Sequence, residues 1–213
     1  MSLLLGFFIV YLLASFNFAY LVARLMKVDI STEGSGNPGS ANVLRVLGKK
    51  AAIFVLLGDI LKGFMAPYIL VIIFSSFEGS DQLYLIIRAG FFAILGHCFP
   101  IYYQFKGGKG VASFIGLIIF LFSYFIPSGL SIYWVLFLGG LYFSVFKAFK
   151  IAALASLSIV WGSSFIFYIP LTAGLPNEIY RNPFIHFLII IFLITWKHKD
   201  NFNRIVKGDE NKF

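Results

Sequence analysis

The chain consists of long apolar segments separated by short polar connections, and this pattern restricts it to a membrane fold. Of its 213 residues, 60% are hydrophobic and only 12% are charged, and the mean hydropathy is +0.90. A water-soluble core could not bury that much apolar surface, whereas a bilayer requires it. We therefore predict an all-α integral membrane protein with a single domain over residues 1–213.

Seven apolar segments are candidates for transmembrane helices, since most approach the roughly 20 residues that a helix needs to cross hydrocarbon. They are about Leu3–Met26, Ala51–Phe77, Leu83–Gln104, Val111–Phe125, Pro127–Phe146, Ile151–Leu171 and Asn182–Trp196. Pro127 and Gly129 divide what would otherwise be one apolar run, and without that division the count is six. The first segment has no basic start and is too long for a cleavable signal peptide, so we expect it to remain as a transmembrane helix.

The charges predict an orientation, because cytoplasmic loops of membrane proteins carry an excess of Lys and Arg. With the N-terminus outside, the outer connections offer mainly Arg181, alongside Glu78, Asp81 and Glu178. The inner loops and the C-terminal tail then hold Lys27, Arg45, Lys49, Lys50, Lys106, Lys109, Lys147, Lys150, Lys197, Lys199, Arg204, Lys207 and Lys212. We predict seven transmembrane helices, the C-terminus in the cytoplasm and the polar clusters at the cytoplasmic face. The net charge of +8 belongs to these loops, so we expect no nucleic-acid partner.

The polar segment Ser31–Lys50 has the composition of an anion-binding loop that leads into a helix. Its glycines permit positive φ, which would let several N–H groups converge on one anion. Arg45 adds a guanidinium group suited to phosphate, and Ser40 is a good N-cap for a helix that carries Arg45. The other candidate ligands are small or polar residues, namely Gly34, Ser35, Gly36, Asn37, Gly39 and Asn42, the last predicted to share a helix face with Arg45.

Two bland interpretations compete with an anion site here. Residues Gly34–Gly39 match the dinucleotide fingerprint G-x-G-x-x-G, but an apolar helix rather than a strand precedes them, so that reading fails. A simple turn at the membrane surface is the other alternative, and it would explain a lone glycine cluster. The combination with two asparagines and an arginine favours the anion site.

A second cluster, Gly96–Ser113, holds a Gly–Gly pair between Lys106 and Lys109 at a helix entrance, which is typical of phosphate binding. Its likeness to a P-loop is superficial, and for the lysine pair alone the ordinary role of positive-inside anchors is favoured. His97 lies near the inner end of a helix, where hydrogen bonding between helices is an ordinary role. The three histidines, His97, His186 and His198, lack ligand-like spacing and carboxylate companions, so we expect no metal site.

Ionisable groups within the apolar segments are costly and usually pair or face a polar cavity. Asp59 and Lys62 are three residues apart on one helix face, which fits either a structural ion pair or direct substrate contact. Arg88 has no partner nearby in sequence, and its role is left open. In the tail, His198, Asn201 and Arg204 follow at three-residue steps. A helix there would present all three on one face, whereas a solvated basic tail is the alternative.

Together these clusters resemble the bacterial acyl-phosphate-dependent glycerol 3-phosphate acyltransferases. The matching stretches are GSGNPGSANVLR…GKK…D-x-x-KG (Gly34–Gly63), GH-x-FP…FKGGKGVAS (Gly96–Ser113) and H-K-D-N-F-N-R…G-D-E (His198–Glu210). The family has seven helices in the bacterial inner membrane with cytoplasmic motifs. The resemblance implies transfer of an acyl chain from acyl phosphate to the 1-hydroxyl of glycerol 3-phosphate, giving lysophosphatidic acid and phosphate, the first step of phospholipid synthesis.

The resemblance also implies roles for individual residues, with no cofactor and with the donor's own phosphate as base. Ser35 and the loop residues Gly34, Gly36, Asn37 and Gly39 would cradle the acyl phosphate and the developing oxyanion. The glycerol 3-phosphate would be held by Arg45, Lys106, His198 and Asn201, with Lys109 as a second cation. Asn42, His97 and Arg204 would shape the loops. The acyl chain would lie between helices, and the enzyme that makes acyl phosphate would hand it over.

Two departures from the family pattern and two other functions leave room for a different assignment. Ala153 stands where a substrate-contacting serine is usual, with Ser156 and Ser158 close behind, and Lys199 replaces an arginine. Lysine cannot reproduce the bidentate geometry of arginine. A transporter of a phosphorylated metabolite is the second hypothesis, and an enzyme acting on another phosphorylated acceptor is the third.

Overall fold

The computed structural model describes residues 2–125, 131–172 and 182–210, and within these ranges the regular structure is helical with no β-strand. The predicted all-α class is therefore confirmed. The ten α-helices of the described residues are α1 Leu3–Ala14, α2 Phe18–Leu25, α3 Ser40–Leu47, α4 Lys49–Ile73, α5 Gly79–Cys98, α6 Val111–Phe125, α7 Ser131–Phe149, α8 Ala152–Thr172, α9 Pro183–Lys197 and α10 Lys199–Lys207. A short 3₁₀ helix, Ile101–Tyr103, follows α5.

Four helical stretches are long and apolar enough to cross a membrane: Leu3–Leu25, Lys49–Ile73, Asp81–Tyr103 and Ile132–Phe149. Shorter apolar helices cover Val111–Tyr124, Ala152–Tyr168 and Pro183–Lys197. Each predicted apolar segment thus contains an apolar helix, while the count of seven crossings and the orientation stay predictions. The dividing residues Pro127 and Gly129 lie outside the described residues, as do Glu178 and Arg181 of the predicted outer loop.

The first apolar segment is not one continuous helix as predicted. Its helix is interrupted after Ala14 and begins again at Phe18. Asn17, which is fully buried, causes the new start, because its Oδ1 accepts hydrogen bonds from the backbone N–H groups of Ala19 (2.9 Å) and Tyr20 (3.2 Å). An N-cap of this kind satisfies donors that open a helix, so the chain can turn without leaving them unpaired.

Residues 1–117 form one compact unit. In it α5 packs against α1 and α4, and α3 packs against α4. Phe7 and Val10 of α1 share a core cluster with Leu70 of α4 and Leu85 of α5. Glycine allows α4 and α6 to approach closely, because a Cβ at Gly63 would overlap the backbone of Ser113.

Residues 118–213 form the second compact unit. Here α7 packs against α8, and α8 packs against α9. The turn from α7 to α8 passes through Lys150, which takes a left-handed φ of 59°. The ring of Phe167 in α8 packs against Phe122 of α6 and Phe187 of α9, at centroid distances of 5.2 and 5.8 Å. The single domain over residues 1–213 stays a prediction.

Candidate active site

The glycine loop, defined as Ser31–Gly39, is held by one side chain of the following helix. Asn42, only 1% exposed, reaches back from the first turn of α3. Its Oδ1 accepts from the Ser35 N–H (2.8 Å), and its Nδ2 donates to the carbonyls of Glu33 (2.9 Å) and Ile30 (3.4 Å). Gly34 takes a φ of 61°, and a Cβ there would overlap the Asn42 amide, so only glycine fits.

The backbone of the glycine loop differs from its prediction in two places. Gly34 and Gly36 have the predicted positive φ, at 61° and 68°, but Gly39 is extended at −143°. Gly39 is extended because it is the N-cap of α3, and its carbonyl accepts from the N–H groups of Asn42 and Val43. The predicted N-cap, Ser40, is instead the first residue of the helix, so that prediction was wrong.

Several N–H groups of the glycine loop are already bound within the loop. The Ser35 N–H bonds to Asn42, the Gly36 N–H to the Glu33 carbonyl at 3.0 Å, and the Gly39 N–H to the Asn37 carbonyl at 2.9 Å. The sequence predicted that these N–H groups would converge on one anion. In the structure, their hydrogen bonds within the loop fix its conformation instead. The Ser35 hydroxyl and Arg45 are the clearer donors for an anion, since Ser35 is half-buried and Arg45 is exposed, unlike the buried Asn42 on the same helix.

At the start of the glycine loop, one carboxylate organises a tight turn. Asp29 Oδ1 accepts hydrogen bonds from the Ser31 hydroxyl (2.6 Å) and the Ser31 N–H (3.0 Å). These two bonds favour the ionised form and hold the pKa of Asp29 below its usual value. The turn therefore depends on an ionised Asp29.

The second loop, Lys106–Lys109, is held by its backbone while its first lysine is exposed. The Lys106 carbonyl accepts from the Tyr20 hydroxyl at 3.2 Å, and the Tyr20 ring stacks on Tyr103 at 4.5 Å. The Gly108 N–H donates to the His97 carbonyl at 3.2 Å. Lys106 can thus present its ammonium group from a fixed position, and Lys109 is half-buried beside it.

His97 has a carboxylate companion, contrary to the prediction from sequence. Its Nδ1 lies 3.4 Å from Asp59 Oδ1, and Lys62 Nζ lies 2.9 Å from the same oxygen. Asp59 and His97 are 1% and 3% exposed. The Asp59–Lys62 contact agrees with the structural ion pair, one of the two interpretations that the sequence left open. The histidine was missed because it stands on α5, far from Asp59 in sequence.

The C-terminal tail forms a helix, as one of the two interpretations predicted. His198 stands between α9 and α10, and its Nδ1 donates to the Ile194 carbonyl at 2.8 Å, since a carbonyl can only accept. The Glu210 carboxylate joins two predicted site residues: Asn201 Nδ2 and Arg204 Nε each donate to it at 2.7 Å. Sequence reasoning gave Glu210 no role, although it ends the matching G-D-E stretch.

Three residues left open by the sequence have definite surroundings. The guanidinium carbon of Arg88 lies 4.1 Å from the ring centroid of Tyr84, one turn earlier on α5. Ala153 is buried in the first turn of α8, at 7% exposure. Lys199 Nζ lies 4.9 Å from the ring centroid of Trp196. Both cations therefore rest on aromatic faces, where cation–π attraction lowers the cost of placing them in or near a membrane.

Known proteins match this chain over all or nearly all of its length. A family model described as glycerol-3-phosphate acyltransferase matches residues 4–208. The chain belongs to the glycerol-3-phosphate acyltransferase family. Curated acyltransferases from Coxiella burnetii (strain Dugway 5J108-111) and Aquifex aeolicus are 39% and 36% identical to it, over 100% and 95% of this chain and 98% and 95% of theirs.

A member of the glycerol-3-phosphate acyltransferase family also provides a structural match. The crystal structure of PlsY (YgiH), an integral membrane glycerol 3-phosphate acyltransferase in its glycerol 3-phosphate form, superposes with a TM-score of 0.81 at 31% identity. The match covers 100% of this chain and 96% of that one. The lysophosphatidic acid form of the same protein gives a TM-score of 0.78. With its apolar helices and this neighbour, the chain is a multi-pass membrane protein.

Proposed function

We propose that this acyltransferase moves a fatty acyl chain from acyl phosphate to the 1-hydroxyl of glycerol 3-phosphate. The acceptor oxygen forms a bond to the acyl carbon, the bond from that carbon to the phosphate oxygen breaks, and the hydroxyl proton leaves on the released phosphate. The observation that carries this proposal is the full-length match to PlsY, whose two structures are described as glycerol 3-phosphate and lysophosphatidic acid forms. The same match favours an enzyme over a transporter.

Acyl phosphate suits this chain as a donor because acyl transfer from it requires few catalytic groups of the protein. It is a mixed anhydride with a good leaving group, so direct attack by the acceptor needs positioning and charge stabilisation rather than a protein nucleophile. Both substrates are phosphorylated, and cations with hydrogen-bond donors bind such groups well. The exposed Arg45 on α3 and the exposed Lys106, whose carbonyl accepts from the Tyr20 hydroxyl, fit that requirement.

We assign the acyl phosphate and the oxyanion to the glycine loop. Ser35 supports this role, because Asn42 fixes its backbone and leaves its hydroxyl as a donor. Around it, the loop residues Gly34, Gly36, Asn37 and Gly39 would surround the mixed anhydride. Asn42 and His97 would act through the loops that they hold.

We assign glycerol 3-phosphate to a set of cations and polar side chains, comprising Arg45, Lys106, Lys109, His198 and Asn201. His198 suits this role because the bond from its Nδ1 to the Ile194 carbonyl fixes the orientation of its ring. Arg204 would orient Asn201 through Glu210, which both side chains contact.

The membrane arrangement is also a proposal. Seven crossings, with the N-terminus outside and the C-terminus in the cytoplasm, bring all of the proposed substrate-binding residues to the cytoplasmic side of a bacterial inner membrane. The acyl chain would lie between helices and reach the bilayer directly. A lipid-soluble acyl phosphate handed over by the enzyme that makes it could then enter without crossing water.

The deciding experiment supplies purified protein with palmitoyl phosphate and radiolabelled glycerol 3-phosphate, in the absence of coenzyme A. We expect labelled lysophosphatidic acid and an equal amount of released phosphate. Parallel reactions with palmitoyl coenzyme A and with palmitoyl carrier protein should give no product. Product from either thioester but none from palmitoyl phosphate would refute the proposed donor while leaving the family assignment in place.

A further inference from the structure

One carboxylate lies in the interior of the first compact unit. Asp59, near the middle of α4, is 1% exposed, and its Oδ1 faces both Lys62 Nζ (2.9 Å) and His97 Nδ1 (3.4 Å). A buried charge in a membrane-spanning helix is costly and persists only where partners compensate it. Each of its two partners makes a further contact: Lys62 bonds to the interruption between α1 and α2, and His97 bonds to the Lys106–Lys109 loop.

Lys62 is connected to the glycine loop through hydrogen bonds. Its Nζ also donates to the Phe16 carbonyl at 3.1 Å, in the interruption between α1 and α2. That carbonyl is available because the helix stops there. The next residue, Asn17, caps α2 with its Oδ1 and donates from its Nδ2 to the Pro38 carbonyl of the glycine loop at 3.4 Å. The interruption thus joins a buried ion pair to the loop that is proposed to bind acyl phosphate.

His97 contacts the Lys106–Lys109 loop directly. Gly107 and Gly108 fold around it: the Gly108 N–H donates to the His97 carbonyl, and a Cβ on Gly108 would overlap the His97 ring. The two glycines connect Lys106 to Lys109, so a shift of His97 would displace the backbone of both lysines. Asp59 Oδ1 lies 3.4 Å from Nδ1 of that ring, so the carboxylate is placed to orient it.

We propose that Asp59 is a positioning residue for acyl transfer, because its contacts with Lys62 and His97 hold the glycine loop and the Lys106–Lys109 loop at a fixed separation. The inference rests on the substrate-binding roles proposed above for these two loops. If Asp59 only held helices together, its loss would reduce the amount of folded enzyme and leave the kinetics of the folded fraction unchanged. A positioning role predicts altered kinetics in that fraction.

The first test compares Asp59→Asn with Leu70→Ala, a control on the same helix. Leu70 is 1% exposed in the core cluster of α1, α4 and α5, so its truncation weakens packing without touching the Asp59 contacts. For folded, monodisperse Asp59→Asn we expect KM to rise about tenfold for both palmitoyl phosphate and glycerol 3-phosphate, with kcat about tenfold lower, because small displacements of binding groups slow reaction steeply. Leu70→Ala should unfold at lower temperature with parental KM values.

Asn17→Ser provides a second test of the positioning role if Asp59→Asn does not fold. Asn17→Ser retains an N-cap oxygen for α2 but cannot reach the Pro38 carbonyl, so it breaks only the last contact to the glycine loop. We expect KM for palmitoyl phosphate to rise about fivefold, in line with one lost buried hydrogen bond, with KM for glycerol 3-phosphate nearly unchanged. Equal changes in both constants, or none, would contradict the proposed connection.

A distance measurement separates this inference from the proposed function, since it needs no activity. Spin labels on cysteines placed at the exposed Glu33 and Phe105, with the buried Cys98 replaced by alanine, report the separation of the two loops by double electron–electron resonance. The parent and Leu70→Ala should each give one narrow distance distribution. Asp59→Asn should give a broader or shifted distribution, and Asn17→Ser replaces it in this test if Asp59→Asn does not fold. Parental distances together with parental KM values in the folded variant would overturn the positioning role. A parent inactive with palmitoyl phosphate refutes the donor instead, and the distances still decide the role of Asp59.

Discussion

The two groups of proposed site residues are stabilised by contacts of different range. The loops of the first unit depend on side chains remote in sequence: Asn17 bonds to Pro38, and Asp59 on α4 faces His97 on α5. In the second unit, Asn201 and Arg204 are joined by Glu210, which follows them closely in the chain. We therefore expect function in the first unit to depend on buried partners that are remote in sequence, whereas the proposed site residues of the tail are held by a neighbouring residue.

The largest effect should follow from removing the exposed cation beside the glycine loop. We expect Arg45→Ala to lower kcat/KM about a thousandfold, because a bidentate guanidinium contact to phosphate would be lost in a charge-stabilised reaction. Arg45→Lys should recover only part of the loss, since lysine lacks the fork. Arg24→Ala is the control, because Arg24 is also exposed and lies in the last turn of α2. Parental kinetics in Arg45→Ala would remove this loop from the site.

Removing one hydroxyl from the glycine loop should have the next largest effect. Ser35→Ala keeps the backbone N–H bond to Asn42 but deletes the donor assigned to the acyl phosphate. Loss of one oxyanion donor costs about a hundredfold in kcat, and we expect that size of effect in steady-state assays. Ser40→Ala is the matched control, because Ser40 is also half-buried and Gly39 rather than Ser40 is the N-cap of α3; we expect it to stay within about twofold of the parent. Equal rates for the two variants would contradict the assignment of Ser35.

A smaller effect is expected in the tail. Glu210→Gln keeps the shape of the side chain but removes the charge that holds Asn201 and Arg204. Hydrogen bonds to charged groups contribute about 1.5–3 kcal/mol, so we expect roughly tenfold lower activity. Asp209→Asn, at an exposed neighbouring acid, is the matched control. If both variants behave alike, the tail does not depend on the Glu210 contacts.

The smallest expected effect is a change in the pKa of Asp29, which lies in the turn at the start of the glycine loop. The hydrogen bonds from Ser31 lower the pKa of Asp29, so their contribution to stability is present above the unfolded-state pKa and is lost as pH falls through the lower, folded-state pKa. Ser31→Ala should raise the pKa of Asp29 toward its ordinary value, which carboxyl-carbon NMR on selectively labelled protein can measure. An unchanged pKa in Ser31→Ala would show that the turn does not stabilise the ionised form.

Local patterns predicted what local interactions determine. The bounds of α6, Val111–Phe125, and the helical tail both follow from apolar length and three-residue spacing. The interruption at Asn17 was missed because hydropathy over a window averages one polar residue into an apolar run. The His97–Asp59 contact was missed because it joins two helices, and spacing within one helix cannot report it. Glu210 is a different case. Its position at the end of a matching stretch is evident in the sequence, whereas its contacts with Asn201 and Arg204 are not.

The central claim is that the protein holds both phosphorylated substrates at the same time and transfers the acyl chain directly between them. Initial velocities measured over a grid of palmitoyl phosphate and glycerol 3-phosphate concentrations test it. Direct transfer within a ternary complex predicts double-reciprocal lines that intersect. Parallel lines, which indicate a covalent acyl-enzyme formed before the acceptor binds, would contradict it.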